Sequence, residues 1–278
     1  KAPFERAAAD RWLPVDVYVG GPEHAVMHLL YFRFWTRVMK ELGLLGVDEP
    51  VKRLVTQGIV NGPDCRKLSK RWGNVIDPDD EVQKVGADAV RTYLAFIGPF
   101  NEVGAYPWNP GGIVGVRRFL DRVWRLTPVD AAPSANLERL LHQTIKKVGD
   151  DIASLKMNTA VSALMILLNE LEKEPARDAY KLFIQLLYPF APHLASELAL
   201  THNIDLTNWP QFGAQKSANT STVVAVQING KVRATVELAP DAPEEEALEA
   251  AQKAAEKWLT SPIKNHIYRP GRVINLLI

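Results

Sequence analysis

Cysteine is almost missing from this 278-residue chain, which holds only Cys65. One thiol excludes an intramolecular disulfide framework and fits a reducing compartment. Long hydrophobic runs are also missing, and none approaches the length of a bilayer span. Lys1 to Asp10 are charged and alanine-rich without an apolar core, so they do not read as a secretory signal. Charge has no dominant sign: 33 Lys and Arg stand against 32 Asp and Glu, so no overall basic field announces a nucleic-acid partner. These absences lead to the expectation of a soluble, cytoplasmic protein with no membrane partner.

What is present is ordinary for a globular protein: 47% apolar and 23% charged residues, over a length that suits two or three domains. The charges are unevenly placed. Basic residues crowd around 67–71 and 117–125, and 244–249 is acidic, so local patches can meet phosphate on a nearly neutral chain. The first residue is a lysine rather than an initiator methionine, which suggests a fragment or processed product.

Three regions separate along the chain. From 1 to 100, strand and helix signals mix. Val15 to Val19 alternate in strand fashion and break at Gly20-Gly21. Pro22 and Glu23 then open a helix expected to reach Leu42, with proline and an early acid suited to its first turn. A strand over 53–60 is expected to enter the loop Asn61-Gly62-Pro63-Asp64. Strand, glycine break and helix in that order indicate an α/β domain. From 101 to 212 the pattern is helical. Leu137, Leu141, Ile145, Val148 and Ile152 mark one amphipathic face, 158–173 forms a second helix, and 177–187 forms a third that stops before Pro189 and Pro192. Short connections between long helices indicate an antiparallel bundle. A polar linker at 213–222 leads to a small α+β module over 223–278. There Asn229-Gly230 joins two alternating runs as a hairpin, a helix is expected over 243–259, and 273–278 is a last strand.

The densest chemistry lies in Arg66-Lys67-Leu68-Ser69-Lys70-Arg71-Trp72-Gly73-Asn74-Val75-Ile76-Asp77-Pro78. Two lysines flank a serine in a loop bounded by Gly62 and Gly73. Such ammonium groups can stabilise charge that builds on a transferring phosphate and its leaving group. Taken alone, a basic surface loop is the simpler reading. Upstream, Gly20-Gly21 lets backbone come close to a ligand. His24 and His28, at i and i+4, are expected to share a helix face. That spacing also suits a metal, but no third ligand is evident nearby, so no protein-bound metal is expected.

The lysine segment resembles the Lys-Met-Ser-Lys-Ser signature of class I aminoacyl-tRNA synthetases, with its trailing Gly-Asn-Val-Ile-Asp-Pro. Leu68 and Arg71 depart from the signature. Gly86-Ala87-Asp88-Ala89-Val90-Arg91 is similar to the stretch that follows this loop in the class. Gly20-Gly21-Pro22-Glu23-His24-Ala25 resembles the leucine branch, and 227–233 and 268–275 resemble the small C-terminal domain of its bacterial members. The resemblance covers essentially the whole chain. It implies the C-terminal half of a Rossmann-type catalytic domain, an all-α anticodon-binding-type bundle and a tRNA-contacting α+β domain.

The same resemblance implies site roles. Lys67, Ser69 and Lys70 are the expected catalytic groups. ATP, with Mg2+ as part of the substrate, is expected at Lys67, Lys70, Gly20, Gly21, Glu23, Gln57 and Val60. Leucine is expected at Tyr18, His24 and His28. Arg117, Arg118, Lys231, Arg233, Arg269 and Arg272 are the expected contacts to tRNA(Leu), and His193 is read as structural. The class also needs a His-Ile-Gly-His-type signature and, for proofreading, an editing domain; neither segment is found here. The expectation is therefore a part of a leucine–tRNA ligase, inactive alone and completed by an N-terminal catalytic half in cis or in trans. The alternative is a non-catalytic tRNA-binding module with a vestigial α/β half.

Overall fold

The structure is a computed structural model that describes residues 3–100, 102, 104–218, 222–239 and 242–278. The chain divides into two compact units, Lys1–Phe212 and Gly213–Ile278.

The first unit begins with α1 (Arg6–Trp12), β1 (Tyr18–Gly20) and a 3-10 turn, Pro22–His24. Helix α2 (His28–Glu41) follows only after a break, so the single helix expected from Pro22 to Leu42 is two pieces. Strand β1 is shorter than the expected run and pairs in parallel with β2 (Leu54–Thr56); Val15 adds an isolated bridge to Val51. The strand expected over 53–60 is likewise divided. β2 ends at Thr56, and β3 (Ile59–Asn61) pairs in parallel with β4 (Ala105–Pro107) in a separate sheet. The cause lies at Gly58. A Cβ there would stand 2.4 Å from the Tyr106 ring, as would one at Gly98, so that ring fills a slot between two backbones that only glycine leaves open.

Helix α3 (Pro78–Val85) starts at Asp77, whose side chain accepts from the Asp79 N–H at 2.9 Å, and carries Asp79, Asp80 and Glu81 in its first turn. Gly86, at φ +90, turns the chain into α4 (Ala87–Phe96). Helix α5 (Pro110–Arg125) is capped by Asn109, which accepts from the N–H groups of Gly111 and Gly112. Then come α6 (Ala135–Ala153), α7 (Met157–Leu171), α8 (Arg177–Leu187) and α9 (Pro192–His202). Their core is the expected apolar face: Leu137, Leu141, Ile145 and Val148 of α6 pack with Leu164, Leu167, Leu168 and Leu171 of α7. A second cluster joins α4, α5 and the loop before α5 through Val90, Tyr93, Trp108, Ile113 and Val116.

The α4 helix also grips the corner between α8 and α9. Buried Asp88 accepts from the Leu194 N–H at 2.7 Å and lies 2.8 Å from His193 Nδ1. Thr92 donates to the Phe190 carbonyl at 3.3 Å, and Arg91 to the Pro189 carbonyl at 3.2 Å. His193 is thus a structural partner of Asp88.

Helix α2 is different. Its polar edge is anchored where Arg33 and Arg37 both donate to Glu49, whose carboxyl is lowered to about 2, first by the Arg33 hydrogen bond and then by Arg37. Yet Met27, Leu30, Tyr31, Phe34 and Trp35 are each more than half exposed. Their i, i+3, i+4, i+7, i+8 spacing is a core-facing stripe turned to solvent.

The second unit holds a short α10 (Ala214–Ser217) and a four-stranded sheet in the order β6-β5-β8-β7. Asn219 to Ser221 of the expected linker lie outside the described residues. Strands β5 (Thr222–Ile228) and β6 (Lys231–Leu238) form the expected hairpin. Asn229 and Gly230 have φ of 48° and 80°, the two positive values that a type I′ turn needs. Helix α11 (Glu244–Ala254) is shorter than expected and gives way to a 3-10 turn, Glu256–Trp258. Its buried alanines, Ala247 and Ala251, let it lie close on one sheet face. Strands β7 (Asn265–Arg269) and β8 (Val273–Leu277) complete the sheet, with β8 parallel to β5.

Among the described residues two buried side-chain atoms make no hydrogen bond, Gln185 Oε1 and the Tyr180 hydroxyl, and Tyr180 lies wholly inside the bundle core. Burial pushes its acidity up to about 12. Replacing Tyr180 by Phe removes that polar atom and should leave the protein equally stable or more stable by about 1 kcal/mol in urea denaturation. The parent should also lose stability above pH ~10, where the unfolded phenol ionises, until about 12, where the folded one does; the Phe variant should lack that loss. A variant less stable by more than the error of the fit would mean that the hydroxyl has a partner.

Candidate active site

The C-terminal end of β1, the glycine break and the start of α2 enclose a cleft of about 410 Å³. Its walls include Tyr18, Gly20, Gly21, His24, His28 and Gln57. Residues expected at an adenosine or leucine pocket are therefore brought together, although they come from a strand, a turn, a helix start and the gap between two strands. Tyr18 and His28 are joined by a 2.6 Å hydrogen bond between the hydroxyl and Nε2, and Phe32 packs against both rings. His24 and His28 do not share one continuous helix, because the chain breaks between them, but their rings still meet edge to face at 6.0 Å. A side chain at Gly20 would point into open space in the cleft. At Gly21 a Cβ would strike the Glu23 carboxylate at 2.3 Å, so Glu23 folds back over its own turn.

Val60 and the lysine loop are not in the cleft wall. Val60 lies on β3, in the other small sheet, and packs against the Tyr93–Trp108 cluster. The strand break at Gln57-Gly58 is what separates Gln57 from Val60. Among the described residues, no group of three or more His, Cys, Asp or Glu side chains is gathered as metal ligands would be.

The loop from Gly62 to Gly73 is a closed curl. The Gly62 N–H donates to the Arg66 carbonyl at 2.8 Å, and Asn61 bridges to Lys67. Asn74, which the sequence reading passed over, is its hub. Its Oδ1 accepts from the Ser69 N–H at 2.9 Å, and its Nδ2 donates to Asp64 at 3.0 Å and to the Lys67 carbonyl at 3.3 Å. The Ser69 hydroxyl accepts from the Arg71 N–H at 3.2 Å and so caps the 3-10 turn Lys70–Trp72. Lys67 and Lys70 are exposed, and neither ammonium meets a partner among the described residues. Arg66 and Arg71 each stand 5.3 Å from the centre of the Trp72 ring. The residue that departs from the family serine is thus engaged in a cation–π contact. The arrangement can present two free cations to a polyphosphate from a backbone held by amide hydrogen bonds.

The expected tRNA cations are scattered. Arg117 is ion-paired with Asp121 and also donates to the Val85 carbonyl. Arg118 is exposed and has no acidic partner among the described residues. In the second unit, Lys231 and Arg233 sit on edge strand β6, with Arg233 stacked on Trp258 at 4.6 Å. Arg269 lies on the opposite edge strand, β7, and Arg272 in the turn after it. The two pairs therefore flank the sheet.

With this geometry in view, comparison with known proteins is informative. A family model described as tRNA synthetases class I (I, L, M and V) matches residues 2–103, and one described as the anticodon-binding domain of tRNA ligase matches 135–248. The chain belongs to the class I aminoacyl-tRNA synthetases. Within that class its relatives are the leucine–tRNA ligases. It is 45% identical to the leucine–tRNA ligase of Bdellovibrio bacteriovorus and 44% identical to that of Herpetosiphon aurantiacus. Each match covers 100% of this chain but only 37% and 36% of those relatives, so the chain spans little more than a third of their length. Among solved structures it is similar to the LeuRS of Agrobacterium radiobacter K84 in its ternary complex with tRNA and LeuAMS. There the TM-score is 0.77 at 33% identity, covering 99% of this chain and 40% of that one.

The Asn74–Asp64 contact gives a direct test of the loop geometry. The Asn74 amide hydrogen bond is the largest cause holding the Asp64 carboxyl below its ordinary value. The carboxyl carbon of Asp64, followed by NMR, should titrate below the usual aspartate range, and Asn74→Ala should move its midpoint up. Because the folded value is depressed, the tie is intact above the unfolded value and is lost only in acid. An unchanged midpoint in the variant would remove Asn74 from the hub.

Proposed function

We propose that this chain is the part of a leucine–tRNA ligase that supplies the lysine loop, one wall of the leucine and ATP sites and surfaces for tRNA(Leu). In the reaction, a carboxylate oxygen of leucine attacks the α-phosphate of Mg2+-bound ATP. Leucyl-adenylate forms, pyrophosphate leaves, and the leucyl group then passes to tRNA. Lys67 and Lys70 stabilise the charge that gathers on the α-phosphate and the leaving pyrophosphate. The Ser69 backbone, held by Asn74, sets the spacing between them. Tyr18, His24 and His28 line the leucine side of the cleft, while Gly20, Gly21 and Gln57 let the adenosine approach. Three functional regions follow on this reading: the catalytic portion, the helical anticodon-binding-type bundle and the small sheet domain.

Two features of the first unit support this reading, the lysine curl and the outward apolar stripe of α2. Met27, Leu30, Tyr31, Phe34 and Trp35 have the spacing of an interior helix face, and Val26 beside them is also exposed. We assign as its occupant the remaining portion of the catalytic domain, supplied in cis or in trans. That portion would bring the phosphate-binding residues of the opposite wall.

Leucine-dependent ATP–pyrophosphate exchange tests the proposal. The chain alone should be silent, and mixing with the N-terminal portion of a leucine–tRNA ligase should restore exchange. Exchange by the chain alone, or none after mixing, would overturn it. In the restored enzyme, Lys70→Ala should lower turnover by roughly 10²-fold with little change in the KM for leucine, the pattern of a contact made in the transition state. Equal turnover in variant and parent removes Lys70 from its role. His28→Ala should instead chiefly raise the KM for leucine; an unchanged KM would place leucine elsewhere.

A further inference from the structure

A second concavity, of about 380 Å³, lies away from the cleft, between the Gly86 turn, α5 and the start of α9. Its floor is aliphatic, with Val85, Leu120 and Leu194 among its walls. Trp124 stands at its side and is 54% exposed. A single exposed tryptophan on a flat surface would need no explanation. Here the indole borders a hollow large enough for a heterocyclic ring, and no side chain of the unit fills it.

The charges around the hollow point to the class of ligand. Its acids are already engaged: Asp121 with Arg117 at 2.9 Å, and Asp88 with the Leu194 N–H and His193. Arg117, Asp121 and Trp124 follow one another at i, i+4 and i+7, so they share the face of α5 that borders the pocket. Arg118 and Arg125 form the next stripe of the same helix; both are exposed, and neither meets an acid among the described residues. The unbalanced charge beside the indole is therefore positive. A flat ring on an indole with anionic groups alongside describes a nucleotide. Seven helical residues separate the two arginines by about 10 Å. Over that distance successive phosphates of a polynucleotide can meet both.

We propose that this pocket receives an unpaired base of tRNA, stacked on Trp124, while Arg118 and Arg125 hold phosphates beside it. The inference rests on the tRNA reading above and adds a specific contact to it. None of the residues involved belongs to the cleft or the lysine loop.

The test is binding of an unmodified tRNA(Leu) transcript to the whole chain, titrated at several salt concentrations. Trp124→Ala should weaken binding by about 10-fold, and Trp124→Phe, which keeps a ring, should recover most of the loss. Neither should alter the salt slope. Arg118→Ala and Arg125→Ala should each reduce that slope by about 1. Ultraviolet cross-linking of the parent should attach RNA to the peptide that contains Trp124. That readout does not depend on how the variants fold. Binding of the parent with no effect of Trp124→Ala, or cross-links that avoid this peptide, would overturn the pocket while leaving the tRNA reading intact. A parent chain that binds no tRNA would overturn both.

Discussion

The buried carboxylate of Asp88 joins the lysine-loop side of the first unit to its helical bundle. It sits on α4, directly after the Gly86 turn, and both of its oxygens are spent on the start of α9, more than a hundred residues later. A buried carboxylate is costly unless hydrogen bonds satisfy it, and here an imidazole and a helix-terminal N–H do so. Thr92 and Arg91 secure the same corner through two carbonyls. The Gly86 to Arg91 stretch, which looks like a catalytic-domain motif in sequence, thus acts as the joint on which the bundle is built.

The chain treats its two kinds of surface differently. In the bundle, apolar faces close on one another, and Leu164, Leu167 and Leu171 are wholly buried. In α1, β1 and α2 they do not close: Trp12, Val19, Leu30, Phe34 and Trp35 remain exposed. On the proposed reading, the side chains that would stabilise a complete domain serve as a docking face.

The lysine loop combines a firm backbone with free charges. Amide hydrogen bonds from Asn74 and the cap at Ser69 hold the curl, while Lys67 and Lys70 spend nothing on internal partners. Arg66 and Arg71 differ because their guanidinium planes are taken up by Trp72. Two of the four cations therefore stand over an indole ring and two do not. That distinction follows from stacking geometry and is not visible in a string of basic letters.

Local chemistry was legible in the sequence. Asn229-Gly230 dictates its hairpin because those residues tolerate positive φ, the prolines at 189 and 192 end one helix and start another, and the leucine periodicity of α6 and α7 gives their buried face. The glycine pair expected at ATP and the histidines expected at leucine lie in one short stretch of sequence, and all four line one cleft. What the sequence could not show depends on partners far along the chain. The strand from Arg53 divides because the Tyr106 ring reaches Gly58, which moves Val60 away from Gln57. His193 is structural because Asp88 meets it across the fold. Arg233 and Arg269 lie on opposite edges because of strand order. The sequence alone determined the main helices, the hairpin and the motifs they carry, though not where every element breaks, since these follow from backbone preferences and short-range periodicity. Only the tertiary structure decided which of those motifs share a surface, because that is set by packing between residues whose separation along the chain has no bearing on their distance in space.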